Sequence, residues 1–572
     1  MMSLQEDTLP FYFLACRYAF VVLFTAFCVA LIKLRRPVLL AAGALVFCLF
    51  AWLAITAPLQ RLWSLAPGHD RMFNLAMYAT AATGHSAFES WQIGAPDLEP
   101  FWRWVMRAVS GGDPTRTLTI YHYLPALVLI LLPLSFTFAL APATKRGTER
   151  EQALWELGLV IYAVLLFNSS PLERYGVFQT FWQMNFLLKP NHAAAFALIP
   201  WVVRAWMSDR PRARLLAGGV VLTLLAWVFL LQWGYVLVGL SVYVLWAAWR
   251  RESKEVALTA GAIVLSCAGA LPYFVHLVRH FGWQETNAAV VQIWNKPGYE
   301  AGFLDVFSVS LEHGAVFFLA VVGLVGMTRR RSRQDVLWCS LAAGCVPLWL
   351  LQFPLFYLER AGEPDEIYFF TRFLLTVAAG KGAYFALQAF LALKHGELRP
   401  VGAQSVAGLL VVTLPLSFPY WWNPPTMDRY FAVALDPIPT EVVELTSWIR
   451  QDTSPDAVFL AESDLSLWIA ALSGRRVFLN RQRPPADLVA RRELERRLLM
   501  NPSREVVDAL LERYHVTHVV LDDPFLEQLG VSSSELEGYA WLVPVHRVGG
   551  ERVYRLVSKP GPRSEREPRR GG

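Results

Sequence analysis

The chain has 572 residues, of which 55% are hydrophobic and only 17% are charged, with a formal net charge of +6. A soluble globular protein is about 45–50% apolar and about 25% charged, so this composition excludes an ordinary soluble chain. Because Lys and Arg cluster in short segments between apolar blocks, the positive charge follows a membrane-topology pattern and argues against a nucleic-acid partner.

Twelve apolar blocks are each long enough to cross about 30 Å of hydrocarbon as a helix. Helices are favoured because lipid offers no partners to unpaired backbone groups, and the blocks lack the alternation of a barrel. The long apolar run 215–249 has basic residues at both ends, which predicts a tight hairpin near Gln232-Trp233-Gly234. The predicted spans are 10–32, 37–57, 119–142, 152–169, 190–207, 215–232, 233–249, 256–277, 313–328, 336–356, 370–393 and 401–422.

The basic clusters between these spans set the predicted orientation. With twelve crossings all of them fall on one side, which the positive-inside rule makes cytoplasmic. Both termini and the larger loops then lie outside, as in a multi-pass protein of a bacterial inner membrane. The clusters are Lys33/Arg35/Arg36, Lys145/Arg146/Arg150, Arg204 to Arg214, Arg250/Arg251/Lys254, Arg329 to Arg333 and Lys394/Arg399.

The first outer loop, 58–118, contains two predicted helices. His69 to Thr83 carries a broad apolar face, and Phe101 to Val109 places Trp beside Arg. The second composition suits a helix in the headgroup plane, with aromatic rings inward and Arg at phosphates. The alternative is a loop helix packed on protein.

Asp70 is the first candidate for chemistry, because ionisable groups close to the membrane are costly and often functional. It begins a predicted helix, so it could serve as an N-cap. It could instead be a general base for an acceptor hydroxyl, or a ligand of a divalent metal. No established metal-binding or phosphate-cradling motif accompanies it.

Two predicted span entries on the outer side carry polar residues. Asn191 and His192 occupy the first turn of one span, where free N–H groups can receive a phosphate. Arg372 enters another span and can bind phosphate with two hydrogen bonds, or pair with Glu366, or snorkel to headgroups. Lys381 lies deeper in that span and needs a partner that the sequence does not reveal.

Beyond Pro424-Pro425 the chain becomes charged, and short β runs alternate with helical stretches. This alternation predicts a small α/β domain. The predicted division is a transmembrane domain 1–422, an extracytoplasmic α/β domain 423–559 and a disordered tail 560–572. The predicted strands are 457–461, 476–479, 517–521 and 553–557, and the helices are 438–452, 485–500 and 503–513.

The layout resembles the GT-C class of integral-membrane glycosyltransferases, which use polyprenyl-phosphate sugar donors. The similar stretches are Pro67 to Ala76, Tyr121 to Pro125, Phe370 to Leu375, and Trp448 to Ala461 followed by Gly474 to Leu479. Many members have two adjacent acids in the first loop, whereas Asp70 stands between His69 and Arg71. The lone acid leaves metal binding open, and the extra span before the loop is a second departure.

The resemblance implies an all-α polytopic membrane domain of about twelve helices with a small α/β domain outside. It implies that Asp70 deprotonates an acceptor on a glycan, lipid or protein, with inversion at the sugar. Substrate and phosphate would contact Arg372, His192, Lys189, Arg174, His69 and Glu366. The alternatives are a non-catalytic protein that binds or translocates a lipid-linked glycan, and an inactive scaffold of the same fold.

Overall fold

A computed structural model describes much of the chain in two compact units. The described residues are 70–83, 91–93, most of 100–120, 131–142, 147–166, 190–280, 315–357, 364–395, parts of 400–409, 439–479, 487–500, 503–522, 526 and 539–558. The helical unit comprises Met1–Ser64, His122–Val275 and Trp294–Pro437, and the C-terminal unit comprises Leu65–Tyr121, His276–Ile293 and Ile438–Gly572.

Helices dominate the described residues, and strands occur only towards the C-terminus of that part. The helices are α1 (Asp70–Ala82), α2 (Pro100–Ser110), α3 (Gly147–Leu166), α4 (Pro190–Trp206), α5 (Pro211–Val228), α6 (Leu230–Trp249), α7 (Ser253–His280), α8 (Ala315–Arg330), α9 (Arg333–Tyr357), α10 (Pro364–His395), α11 (Thr440–Asp452), α12 (Ser463–Trp468), α13 (Leu488–Met500) and α14 (Arg504–Asp508). The strands are β1 (Val458–Leu460), β2 (Arg476–Val477), β3 (Val516–Asp522), β4 (Leu542–Val548) and β5 (Glu551–Leu556).

The eight helices α3 to α10 coincide with eight of the predicted spans, with ends that differ by a few residues. Four helical stretches among the described residues are long and apolar enough to cross a membrane: Pro211–Val228, Leu230–Trp249, Ser253–Val275 and Phe370–Lys394. The predicted spans 10–32 and 37–57 lie outside the described residues, as do half of 119–142 and most of 401–422.

The long apolar run is a hairpin, as predicted, but its break lies at Phe229, just before the predicted Gln232. Phe229 is extended, with φ −159° and ψ 102°, between α5 and α6. Arg214 in α5 donates to Oε1 of Glu255 at 2.8 Å, and the Tyr243 hydroxyl in α6 donates to Oε2 at 3.0 Å. A single straight helix would separate residues 214 and 243 by about 43 Å, so the chain must reverse between them.

Several basic loops meet at one end of the helical unit, as the predicted topology requires. Glu255 at the start of α7 also lies 3.2 Å from Arg333 at the start of α9. Arg333 in turn lies 3.8 Å from Asp209 in the turn between α4 and α5. We call this the basic-loop end of the unit.

A five-stranded mixed sheet organises the C-terminal unit, in the order β2-β1-β3-β5-β4. β1 pairs in parallel with β2 and β3, and β5 pairs antiparallel with β3 and β4. Buried apolar residues of the strands and of α13 and α14 form the core, including Val458, Val516 and Leu498. The four predicted strands are therefore present.

Strand β4 is an addition that the sequence analysis missed. It contains Pro544, which lacks the N–H that a central strand needs. β4 lies at the edge of the sheet, and its register shifts between Pro544 and His546. An edge position with a bulge accommodates the proline, which is why the sequence pattern did not indicate a strand.

Candidate functional site

Buried polar residues lie towards the N-terminal ends of two neighbouring helices in the helical unit. In α4, Asn191 and His192 are each 3% exposed, and in α10, Arg372 is 2% exposed. Phe196 of α4 stacks on Phe373 of α10 with ring centroids 4.4 Å apart. This ring contact brings the segment with His192 close to the segment with Arg372.

The turn between α5 and α6 joins the same region. The His192 ring stacks on Phe229 at a centroid distance of 4.5 Å, and Tyr235 of α6 contacts Phe370 of α10 at 5.5 Å. Gln232 is completely buried, and neither polar atom of its amide has a hydrogen-bond partner among the described residues. Leaving a buried amide unpaired costs on the order of 1–3 kcal/mol per hydrogen bond, so a polar partner here would lower the free energy.

This polar region lies towards the end of the helical unit opposite the basic loops. Arg204 follows His192 by twelve residues in α4, a helical rise of about 18 Å. Lys381 follows Arg372 by nine residues in α10, a rise of about 14 Å. Both cations lie near the basic-loop end, so the buried polar residues lie towards the opposite end. We name Asn191, His192, Gln232 and Arg372 the distal polar cluster.

Lys381 has the buried partners that the sequence could not identify. Its ammonium donates to Glu156 in α3 at 2.6 Å and to Asp335 in α9 at 3.0 Å. Arg330 at the end of α8 donates two hydrogen bonds to Glu156, each 2.7 Å long, and also bonds Asp335. Two cations thus balance two carboxylates among four helices, which is what a buried charge requires.

The remaining predicted site residues divide between the two units and the undescribed parts. Asp70 is the first residue of α1, and its role as cap, base or metal ligand stays a prediction. Glu366 lies in the first turn of α10. His69, Lys189 and Arg174 lie outside the described residues. Within the part of the chain that the structure describes, no group of three or more His, Cys, Asp or Glu could hold a metal ion.

The headgroup role expected for the Arg residues of α2 needs correction for Arg103, whereas Arg107 is exposed. Arg103 is completely buried and Trp102 is 5% exposed, so Arg103 faces protein and cannot reach phosphates at a membrane surface. Trp104 is 71% exposed. The alternative of a loop helix packed on protein therefore describes the face with Trp102 and Arg103.

Helix α1, which Asp70 begins, is held against C-terminal residues of the same unit. The Thr83 hydroxyl donates to the Gly474 carbonyl at 3.0 Å. Val477 in β2 forms two backbone hydrogen bonds with the first loop: its N–H donates to the Trp91 carbonyl at 2.9 Å, and its carbonyl accepts from the Ile93 N–H at 3.1 Å. The sequence analysis grouped the loop 58–118 with the membrane region, whereas its contacts place Leu65–Tyr121 with Ile438–Gly572.

No family model and no curated protein matches the chain. Its structure is similar to the crystal structure of ArnT from Cupriavidus metallidurans in the apo state, with 14% identity and a TM-score of 0.49 over 91% of this chain and 100% of that chain. It is also similar to ArnT from Cupriavidus metallidurans bound to undecaprenyl phosphate, with 13% identity and a TM-score of 0.49 over 90% and 99% of the two chains.

Proposed function

We propose that the protein is an integral-membrane glycosyltransferase that moves a sugar from a polyprenyl-phosphate donor to an acceptor outside the cytoplasm. The distal polar cluster carries this proposal. Its members are almost fully buried in otherwise apolar helices, at the end opposite the basic loops. Ionisable and amide groups at membrane depth are costly and default to a substrate role.

The chemistry of the cluster suits a lipid phosphate. When the bond between the sugar and the phosphate breaks, negative charge develops on the leaving phosphate oxygen. A guanidinium placed there stabilises that charge and can donate two parallel hydrogen bonds. Arg372 fills this role in the proposal. The Gln232 amide, which has no hydrogen-bond partner among the described residues, supplies a further donor. Low dielectric around the cluster strengthens each of these interactions.

Asp70 completes the proposed mechanism as the general base. It takes the proton of the acceptor hydroxyl while the oxygen attacks the anomeric carbon from the face opposite the phosphate, so the configuration inverts. A divalent metal held by Asp70 remains the alternative role for this carboxylate. His192 orients the donor phosphate, and Lys189, Arg174, His69 and Glu366 are further proposed contacts.

The test measures transfer of labelled sugar from a polyprenyl-phosphate donor in proteoliposomes. Arg372→Ala should lower transfer by about 10²–10³-fold, as removal of one stabilising donor does in other sites. Arg372→Lys should recover only part, because an ammonium lacks the planar fork. Gln232→Leu keeps a similar volume and should weaken donor binding. Lys394→Ala, an exposed cation near the other end of α10, is the matched control.

Asp70→Asn should abolish turnover while insertion into the membrane and thermal unfolding stay at wild-type values. Full transfer by Asp70→Asn or by Arg372→Ala would reject the assigned roles. Movement of labelled donor across the bilayer without a new glycosidic bond would replace the enzyme with a carrier of lipid-linked glycan.

A further inference from the structure

A cavity of about 940 Å³ lies inside the helical unit at the basic-loop end. Its volume falls within the roughly 300–1,000 Å³ of sites that take small molecules. Its lining includes five cations, Arg204, Arg210, Arg330, Arg333 and Lys381, but only two carboxylates, Glu156 and Asp209. The positive balance favours an anionic ligand.

Two of the five cations are free of ion pairs with described residues, whereas the others are already paired with carboxylates. Arg330 and Lys381 pair with Glu156 and Asp335. Arg204 and Arg210 are exposed, and neither forms an ion pair with any residue that the structure describes. Both line the cavity, and a guanidinium group has a fork of N–H donors that matches the oxygens of a phosphate group.

A second, independent observation lies in the wall of the cavity. Trp338 is 2% exposed, and its indole N–H has no hydrogen-bond partner among the described residues. Its ring stacks on Phe136 at a centroid distance of 6.4 Å. A buried donor without an acceptor is costly, so an acceptor from a bound ligand would complete it.

Most of the remaining wall is apolar, and many of its side chains are small, such as Ala139, Ala153, Ala213 and Ala217. Small residues leave space between helices, and their surface suits the carbon atoms beside a phosphate rather than a fully hydrated ion. The combination of the exposed Arg204 and Arg210 with a mostly apolar wall matches an amphiphilic ligand that has an anionic headgroup.

We propose that this cavity binds the phosphate group of an anionic lipid from the leaflet on the basic-loop side, with the phosphate at Arg204 and Arg210. Trp338 donates to an ester or headgroup oxygen. This site is separate from the distal polar cluster, and its existence does not depend on sugar transfer.

The experiment titrates the purified, delipidated full-length protein with phosphatidylglycerol, phosphatidylcholine, glycerol 3-phosphate and inorganic phosphate. Binding is read by thermal stabilisation and by native mass spectrometry. Phosphatidylglycerol should bind saturably and at least tenfold more tightly than phosphatidylcholine. The double variant Arg204→Gln with Arg210→Gln should weaken it at least tenfold, and Trp338→Phe, which keeps the stack on Phe136, severalfold.

The matched control is Arg212→Gln with Arg251→Gln, because both arginines are exposed in the same basic loops but neither lines the cavity. It should change binding less than twofold. Equal weakening by both double variants, or equal binding of both phospholipids, would overturn the proposal. If glycerol 3-phosphate binds as tightly as phosphatidylglycerol, the phosphate site stands and its ligand is a soluble phosphate ester.

Discussion

Gly474→Ala should loosen helix α1 from the C-terminal residues that hold it. Gly474 follows the helical turn Ile469–Ser473 with φ +71° and ψ 16°, a left-handed conformation that costs a residue with a Cβ about 1–2 kcal/mol. The new Cβ would also lie 2.7 Å from Cγ2 of Thr83 and 2.9 Å from the carbonyl oxygen of Ala79. Relieving these contacts requires shifts of about 0.5–1 Å.

Because the Ala79 oxygen belongs to the backbone of α1, the overlap cannot be removed by rotating a side chain. Overpacking of this kind costs about 1–3 kcal/mol, so the total is about 2–5 kcal/mol. Gly549→Ala is the matched control, since Gly549 has φ +56° but its Cβ would meet only the flexible Glu441 side chain, at 2.9 Å. We expect the control to lose only the backbone cost of about 1–2 kcal/mol.

Both variants are compared by thermal unfolding of the purified full-length protein and by sugar transfer in proteoliposomes. Gly474→Ala should unfold at a lower temperature than Gly549→Ala and should lose transfer, because Asp70 begins the displaced helix. Adding Thr83→Ser, which removes the closest methyl group but keeps the hydroxyl, should recover part of the stability. Equal destabilisation by the two Gly→Ala variants would refute the close-packing argument.

Two further predictions concern buried ionisable groups. Lys381→Met should lower the free energy of unfolding by about 3–5 kcal/mol, because it leaves two buried carboxylates beside one guanidinium. Adding Glu156→Gln to the same chain should restore part of that loss. A double variant whose loss equals the sum of the two single losses would contradict the ion cluster. Burial, with a smaller contribution from Arg555, lowers the pKa of His518 in β3 to about 4. An unfolded histidine titrates near pH 6.5, so the unfolded chain binds more protons between pH 4 and pH 6.5, and stability falls as the pH drops through that window. The free energy of unfolding, measured with denaturant, should fall by about 2 kcal/mol between pH 7 and pH 5. His518→Gln should make the free energy of unfolding less dependent on pH in this range. An unchanged pH dependence in the variant would contradict the role of His518.

Local patterns in the sequence predicted the helices of the helical unit well. Hydrophobic length alone placed α4 at 190–207, and the structure has Pro190–Trp206. The basic flanks of 215–249 predicted the reversal that Arg214 and Tyr243 demonstrate through their shared contact with Glu255. The position of the break at Phe229 was missed, because nothing in the local composition distinguishes Phe229 from Gln232 as a turn residue.

The contacts of charged and polar side chains were much less predictable. Arg103 has the composition of a surface-helix residue and is buried. Gln232 gave no sign of function in the sequence, since an amide beside a predicted turn normally reaches water. Its burial becomes evident only when α4 and α10 pack beside the turn.

The sequence by itself determined which of the described segments are apolar helices, four of the five strands, and that the basic loops gather at one end of the helical unit. These properties depend on residues close together in the chain, through hydropathy, side-chain period and charge. Only the tertiary structure decided which groups meet: Lys381 and Glu156 are 225 residues apart, and Thr83 and Gly474 are 391 apart. Such pairs depend on which helices become neighbours, a choice made by the packing of whole surfaces that no local pattern encodes.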